Sequence, residues 1–388
     1  MATVKAFRGI FPREGIAADF TLDLENLTYS NVKTLAKEKS PSFAKLLVPP
    51  VDKKAPKHLR KGISFKLIDE SFKAFLDEGI LIEDKGDSFY YIEIQNDSRT
   101  FRGIWTLTSV QDYLDGAIKR HEAVDLRREM GLVDYISNSG IDANPVLLVY
   151  PRSELLIDLS KKVALNSPFL AFLKGGLEYK LWRFPAALES ELVSAFKDIG
   201  NCYVGDGHHR LEAVKENSLK IRKTLFFNSV YISSPDIEIL GFNRLIKSEM
   251  NISIDLMMTK LEANFRLSHR NSLVIPARKG SFGVYYKKHC YELECSAENS
   301  NLDVNILHYE ILSILFGRDT YEIEYMSQKI PVEEQIEKAE DSKNGLLFFL
   351  FPVTVTELIK VADSGNLMPP KSTYVLPKFL SGLLINRI

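Results

Sequence analysis

At 388 residues, with 45 % hydrophobic and 26 % charged side chains, the chain has an ordinary globular composition and the length of two or three domains. Its 50 basic and 51 acidic residues leave a net charge of −1, which argues against a dedicated nucleic-acid surface. Three cysteines without CxxC spacing (Cys202, Cys290 and Cys295) argue against a disulfide framework or a cysteine-rich zinc site, and fit a reducing cytoplasm. The N-terminal run lacks the apolar core of a signal peptide. The longest apolar stretch, Leu346–Val353, is far short of a membrane span. A soluble cytoplasmic protein with no membrane partner is expected.

In chain order, a first segment reaches to about residue 88. It opens on a strip holding Arg8, Gly9, Pro12 and Arg13, passes through proline- and lysine-rich loops near residues 48–57, and predicts a helix over Ser64–Glu78. Phe65, Ile68, Phe72, Phe75 and Leu76 share one face of that helix, and Gly79 fits its C-terminal cap. Residues 89–245 alternate strands and helices, which predicts a mixed α/β core. Phe89–Ile94 and Phe101–Leu107 read as paired strands around a polar turn at Asn96–Ser98. Ser109 reads as the N-cap of a short helix. A helix around Asp125–Ser137, a buried strand at Val146–Tyr150, a helix at Glu154–Leu165, a strand at Tyr179–Phe184 and a helix at Glu189–Lys197 follow. The last part, 246–388, predicts a hairpin turning at Lys287–His289, an amphipathic helix at Val304–Phe316, a strand at Leu346–Phe351, a helix at Val355–Ala362 and an extended tail. The chain as a whole reads as an α+β protein.

One short run carries most of the chemistry. After the apolar Cys202, Tyr203 and Val204 come Gly205, Asp206, Gly207, His208, His209 and Arg210, and then a helical sequence from Leu211. A strand–turn–helix junction points backbone N–H groups and the positive end of the helix dipole at whatever sits before it. Two imidazoles and a guanidinium make this junction a cationic cradle suited to phosphate. The Arg210 fork and the amides after Gly207 would meet phosphate oxygens. His208 or His209 would add a donor or move a proton, and Asp206 would hold Mg²⁺ or orient a hydroxyl. The alternative is a helix start capped by Asp206, with Arg210 paired to a nearby acid.

Two further clusters qualify. Lys119, Arg120, His121 and Glu122 form a compact polar run; Glu122 could act as general base toward a hydroxyl, with Arg120 and His121 on the substrate. Its alternative is a solvated helix end. Pro369 and Pro370 pre-order a loop that places Lys371, Ser372 and Thr373, with Lys371 a phosphate contact and Ser372 a substrate contact; the alternative is a segment docked on the core. Lys-Ser-Thr lacks the glycine-rich approach of a Walker A loop. No HExxH pattern or G-x-S-x-G elbow occurs, which leaves structural zinc and serine acyl chemistry without a signature.

These strings, with Phe7-Arg-Gly-Ile, Ile118-Lys-Arg-His-Glu, Asn144-Pro-Val-Leu-Leu-Val-Tyr, Phe242-Asn-Arg-Leu-Ile-Lys and Met368-Pro-Pro-Lys-Ser-Thr-Tyr, occur in the order found in the DUF1015 family, bacterial proteins of unknown function often labelled ParB-like. The resemblance spans essentially the whole chain. Asp-Gly-His-His-Arg also looks like the shorter Gly-x-His-Arg box of ParB nucleotide-binding domains, sulfiredoxins and free-serine kinases. That resemblance implies a ParB-like nucleotide-binding core with additional N- and C-terminal α/β parts. It places Gly207, His208 or His209, and Arg210 at nucleotide phosphates. Asp206 matches an acid within the serine-kinase box, and Glu122 is the candidate for a second, upstream glutamate. The family's Pro-Pro-Tyr-Asp-Val string is replaced here by Asp23-Leu-Glu-Asn-Leu-Thr-Tyr, and no helix-turn-helix follows the box as a centromere-binding ParB would need.

The implied function is a nucleotide-dependent phosphotransferase on a small hydroxylated metabolite, with ATP or ADP and Mg²⁺. Free-serine kinase activity, or its reverse from phosphoserine, is the first case. The alternative is a ParB-like nucleotide- or phosphometabolite-binding regulator without turnover. A DNA-partitioning role stands third.

Overall fold

The computed structural model describes residues 2–388 other than 50, 52–55, 57, 125, 222–224, 252, 297–300 and 318–320, with backbone alone for 126–130. The proline- and lysine-rich loop near 48–57 and the start of the helix expected at Asp125 therefore fall partly outside the described residues. The chain is a mixed α+β protein, as its pattern predicts. It divides into two compact units. One comprises Met1–Arg120, Val124–Ile237 and Pro377–Ile388; the other comprises His121–Ala123 and Glu238–Leu376.

The first unit is organised by a nine-stranded mixed sheet. Its strand order is Ile118–Lys119, Cys202–Asp206, Val146–Tyr150, Phe226–Ser233, Thr100–Ser109, Tyr90–Gln95, Leu177–Arg183, Leu170–Lys174. Val4–Lys5 continues the line of Tyr90–Gln95 by pairing with Leu107 and Thr108. The centre is apolar without interruption: all five residues of Val146–Tyr150 are buried, as a strand covered on both faces requires. The helices Glu154–Ala164 and Ala186–Asp198 supply Leu156, Leu159, Val163, Leu192 and Phe196 to the core against this sheet. Ser109 caps the helix Val110–Leu114, its hydroxyl accepting the Gln111 amide.

Residues ahead of 89 are built into the same unit, so its limits fall at neither 88 nor 245. Ile10–Pro12 pairs with Leu81–Glu83, and the helix Arg60–Asp77 buries Ile68, Phe72 and Phe75 in a second core shared with Ile141 and Ile385. Gly79, at φ +65°, ends that helix. The hairpin Leu170–Lys174/Leu177–Arg183 was legible only in its second strand. Its turn is Gly175-Gly176, with φ of 59° and 75°, the backbone that a tight hairpin turn demands.

The second unit holds a six-stranded antiparallel sheet, ordered Phe265–Arg270, His289–Cys295, Ser281–Tyr286, Leu346–Leu350, Phe242–Ser248, Tyr321–Ser327. The expected hairpin turns at Lys287 and Lys288, both with positive φ. The helix expected at Val304–Phe316 is present but interrupted: Asp303–Asn305 and Leu312–Phe316 are α-helical, and Ile306–Ile311 between them is a π-turn.

Candidate functional site

The Asp206–Arg210 turn belongs to the first unit, and two glycines shape it. Gly205 lies where the antiparallel pairing of Cys202–Asp206 with Val146–Tyr150 slips between Val204 and Asp206. A Cβ there would stand 3.0 Å from Val149 Cγ2 and 3.1 Å from Leu147, so the packing accepts no larger residue without movement. The slip re-aims the end of the strand, as bulges next to sites commonly do. Gly207 has φ +92°, and its carbonyl accepts the amides of Arg210 (2.9 Å) and Leu211 (3.0 Å). It is therefore the residue from which the 14-residue helix His208–Ile221 starts, and the amides of His208 and His209 form the rim of that helix end.

Asp206 does not cap the helix; its two oxygens serve two cations. Arg210 Nη2 donates to Oδ2 at 2.9 Å, and Lys378 Nζ donates to Oδ1 at 2.7 Å. Burial alone would push this carboxyl up. The charges of Lys378 and Arg210 outweigh it, with His208 adding to them, and hold the group well below the usual carboxylate range. Arg210 folds back over Gly207, where a Cβ would meet its Nη2 at 2.8 Å. Its Nε is a buried donor with no hydrogen-bond partner among the described residues. Beside the pair lies a recess of about 70 Å³ lined by Asn144, Pro145, Asp206, Arg210, Lys378 and Ser381. That admits one small tetrahedral group and is far below the several hundred Å³ of a whole small-molecule site.

The tail that delivers Lys378 is anchored by a second acid. Asn386 pairs with Asp142, and Ser381 Oγ donates to Asn144 Oδ1 at 2.6 Å. Asp142 is 6 % exposed. Its Oδ2 accepts the Asn228 amide at 3.0 Å, while Asn228 Nδ2 donates to the Asp142 carbonyl at 3.1 Å and Asn228 Oδ1 accepts from Trp105 Nε1. Burial pushes the Asp142 carboxyl up to about 6, against the Asn228 amide, the charge of Arg210 and the Asn144 amide. The sequence reading passed over both Lys378 and Asp142. The signal available was proximity to recognised strings: Asp142 precedes Asn144-Pro by two residues, and Lys378 lies seven beyond Lys371.

The other sequence candidates divide between the units. Arg120 stays in the first, half-buried, with its charge acting on Glu212 of the His208–Ile221 helix. Glu212 also accepts from Tyr113 Oη at 2.6 Å and from Lys215. His121, Glu122, Lys371 and Ser372 all lie in the second unit, where the two polar strings clasp one another. The His121 carbonyl accepts the Met368 amide at 2.8 Å, and its buried ring shares a 2.9 Å hydrogen bond with Thr373 Oγ1. Glu122 Oε1 accepts the Lys371 amide at 3.3 Å.

Ser372, read as a substrate contact, is instead buried and donates to the Pro369 carbonyl at 2.6 Å, because the two prolines turn the loop back on itself. His121, read the same way, is fully buried. Lys371 is exposed, with φ +57° and its ammonium over Phe242. The lysine that reaches Asp206 is Lys378. Arg244 completes the clasp, donating to the carbonyls of Lys371 (3.0 Å) and Phe242; burial lowers its guanidinium to about 10.

Mg²⁺ on Asp206 meets an obstacle. Each oxygen already accepts from a cation, so a metal there would have to share the carboxylate with Lys378 and Arg210 and meet their repulsion. Among the described residues no cluster of three or more His, Cys, Asp or Glu is placed to hold a metal. A phosphate fits the two cations and the helix rim better. Among the described residues, no helix is long and apolar enough to cross a membrane.

Fold and turn together define a two-unit α+β protein with a cationic strand–turn–helix junction. The chain belongs to the family described as "Protein of unknown function (DUF1015)", whose profile matches residues 4–311. No curated protein matches it. Solved structures similar to it include a conserved hypothetical protein from Pyrococcus furiosus, 14 % identical, covering 73 % of this chain and 94 % of that one at a TM-score of 0.39. A mutant free serine kinase in complex with ADP is 13 % identical over 78 % of this chain and 96 % of its own, at a TM-score of 0.41. SbnI with a C-terminal truncation, from Staphylococcus aureus, is 12 % identical over 71 % and 85 %, at a TM-score of 0.38. Likenesses this distant carry no functional inference.

Proposed function

We propose that the Asp206–Arg210 turn binds nucleotide phosphates, and that the protein moves a phosphoryl group between a nucleotide and a small hydroxylated metabolite. The observation that carries this reading is the convergence of Arg210 and Lys378 on one carboxylate at the start of a long helix. Such an arrangement keeps two cations pointed at the same place before a ligand arrives. Positioning and charge stabilisation are what phosphoryl transfer mainly asks of a protein. The recess has room for a terminal phosphate only, so base and ribose would lie outside it. His208 and His209, at the helix rim, add donors. ATP or ADP supplies the phosphoryl donor or acceptor; the residues of this chain bind its phosphates and orient the reacting oxygen.

Free serine is the first acceptor to test, and phosphoserine the first donor for the reverse direction. The acceptor hydroxyl must lose a proton as its oxygen takes the phosphoryl group. The turnover of Asp206→Asn and Glu122→Gln distinguishes which carboxylate receives it. Phosphorus NMR of the full chain with ATP, Mg²⁺ and serine should show a phosphomonoester resonance growing as ATP declines. If ATP, ADP and CTP leave the melting temperature unchanged and no transfer to any hydroxylated amino acid occurs, the proposal fails.

One observation favours a second reading, a sensor that binds without turnover. Both Asp206 oxygens are already paired with cations, which disfavours a catalytic metal on this carboxylate. Saturable nucleotide binding with no phosphorus transfer would establish that reading instead.

A further inference from the structure

A second cavity in the first unit is unrelated to the phosphate turn. Tyr91, Ile104 and Tyr231 stand in register across three neighbouring strands. Tyr150 lies two residues beyond Leu148, which is the register partner of Tyr231 on the next strand. Side chains alternate along a strand, so all four residues share one sheet face. The helix Glu154–Ala164 presents Ile157, Ser160 and Ala164 as a stripe at helical spacing toward the same space. Between them is a cavity of about 700 Å³. That is the size of a small-molecule site rather than a packing defect. It lies by Tyr150, at the end of the strand opposite to Leu147, the partner of Asp206.

The charges around the cavity are not equivalent. Each cation carries its own acid: Arg102 lies 3.4 Å from Glu93, Arg152 2.6 Å from Glu154, and Lys161 3.2 Å from Asp158. Asp236 is different. Among the described residues its carboxylate makes no hydrogen bond and no ion pair, although its charge is felt at Tyr91, Tyr150 and Arg152. Two hydroxyls nearby share that condition. Ser233 Oγ is buried without a partner, and Tyr150, 4 % exposed and paired in register with Ser233, has no hydrogen-bond partner for its hydroxyl among the described residues. A buried hydroxyl such as that of Ser233 is normally satisfied, and with the unpaired Tyr150 hydroxyl and the partly exposed Asp236 carboxylate near it, it points to a missing molecule.

We propose that this cavity binds a small organic amine with a flat or apolar body. The tyrosine-lined floor takes the body, and aromatic rings favour a nearby ammonium. Asp236 takes the ammonium in a charge-assisted hydrogen bond. An anionic ligand gains less, because every cation at the mouth is already neutralised. A plain hydrocarbon would desolvate the Asp236 carboxylate without compensation.

The test is a calorimetric titration of the full chain with 2-phenylethylamine, set against 3-phenylpropionate, which keeps the ring and reverses the charge. Saturable binding of the amine, at least about tenfold weaker in Asp236→Asn, is expected. Ala164→Trp, which fills the cavity from the helix, should abolish binding while the melting transition stays cooperative. The proposal is overturned if the amine does not saturate, if the carboxylate binds equally well, or if a folded Asp236→Asn binds the amine as the parent does.

Discussion

Lys378 and Asp206 stand 172 positions apart in sequence and 2.7 Å apart in space. This single contact ties the tail to the strand–turn–helix junction. It also turns a lone arginine at a helix start into a paired cation site. Asp206 thereby acquires a role that its sequence context does not announce: it positions Arg210 and Lys378, and it competes with an incoming anion for them.

Removing that competitor has opposite effects on folding and on binding. Asp206→Asn leaves two partly buried cations without their counter-charge, and should cost about 1–2 kcal/mol of stability once solvent screening of the half-exposed carboxylate is allowed for. The freed cations should bind inorganic phosphate or pyrophosphate about tenfold more tightly. Chemical denaturation and calorimetry on the same variant check both signs. Weaker anion binding by a folded variant would mean that Asp206 is itself a ligand contact.

Two acids give stability opposite dependences on pH. Asp206 has its carboxyl depressed by Lys378 and Arg210, so its contribution is present above the ordinary value of 3.8 and disappears as pH falls below it. Asp142 is raised from 3.8 to about 6 by burial. Its neutral form is the one the fold prefers, so the native state loses stability as pH climbs from about 4 through 6, by about 2–3 kcal/mol in all. Asp142→Asn keeps an acceptor for the Asn228 amide and does not titrate. Relative to the parent, it should gain that amount between pH 4 and pH 7. Parallel stability curves for the two proteins would show that Asp142 is not held in its raised state.

Gly207 offers a test of the turn that leaves every charge in place. In Gly207→Ala the positive φ costs about 1 kcal/mol, and the new methyl occupies the space of the Arg210 guanidinium. Arg210 is a flexible side chain and will move, so the larger loss should appear in nucleotide binding rather than in the melting temperature. Gly205→Ala acts on Val149 and Leu147 instead, and its effect should be on stability first.

Much of the fold was legible because its signals are local. The helix Arg60–Asp77 declared itself by Ile68, Phe72 and Phe75, and the strand Val146–Tyr150 by an unbroken apolar run. The strand Leu170–Lys174 was missed although Gly175-Gly176 marks its turn, since only Leu170 of its five residues is fully buried and the apolar pattern is weak. Of the site, the glycines and the cationic cluster were legible as a motif. Lys378 was not, because its partnership depends on where a tail 172 residues away returns. The Lys119–Glu122 run and the Pro369–Thr373 loop were legible as polar clusters, but not that His121 would bond Thr373 of the other string or that Ser372 would turn back to the Pro369 carbonyl of its own loop.

Calorimetric titration of ATP into the parent protein and into Arg210→Ala tests the central claim most directly. A nucleotide at 100 times its dissociation constant also stabilises the fold by about 2.7 kcal/mol, which offers a second readout in the melting temperature. Saturable binding to the parent is expected, with a loss of about 10- to 100-fold in Arg210→Ala. Absence of binding to the parent, or equal affinity in a folded Arg210→Ala, would contradict it.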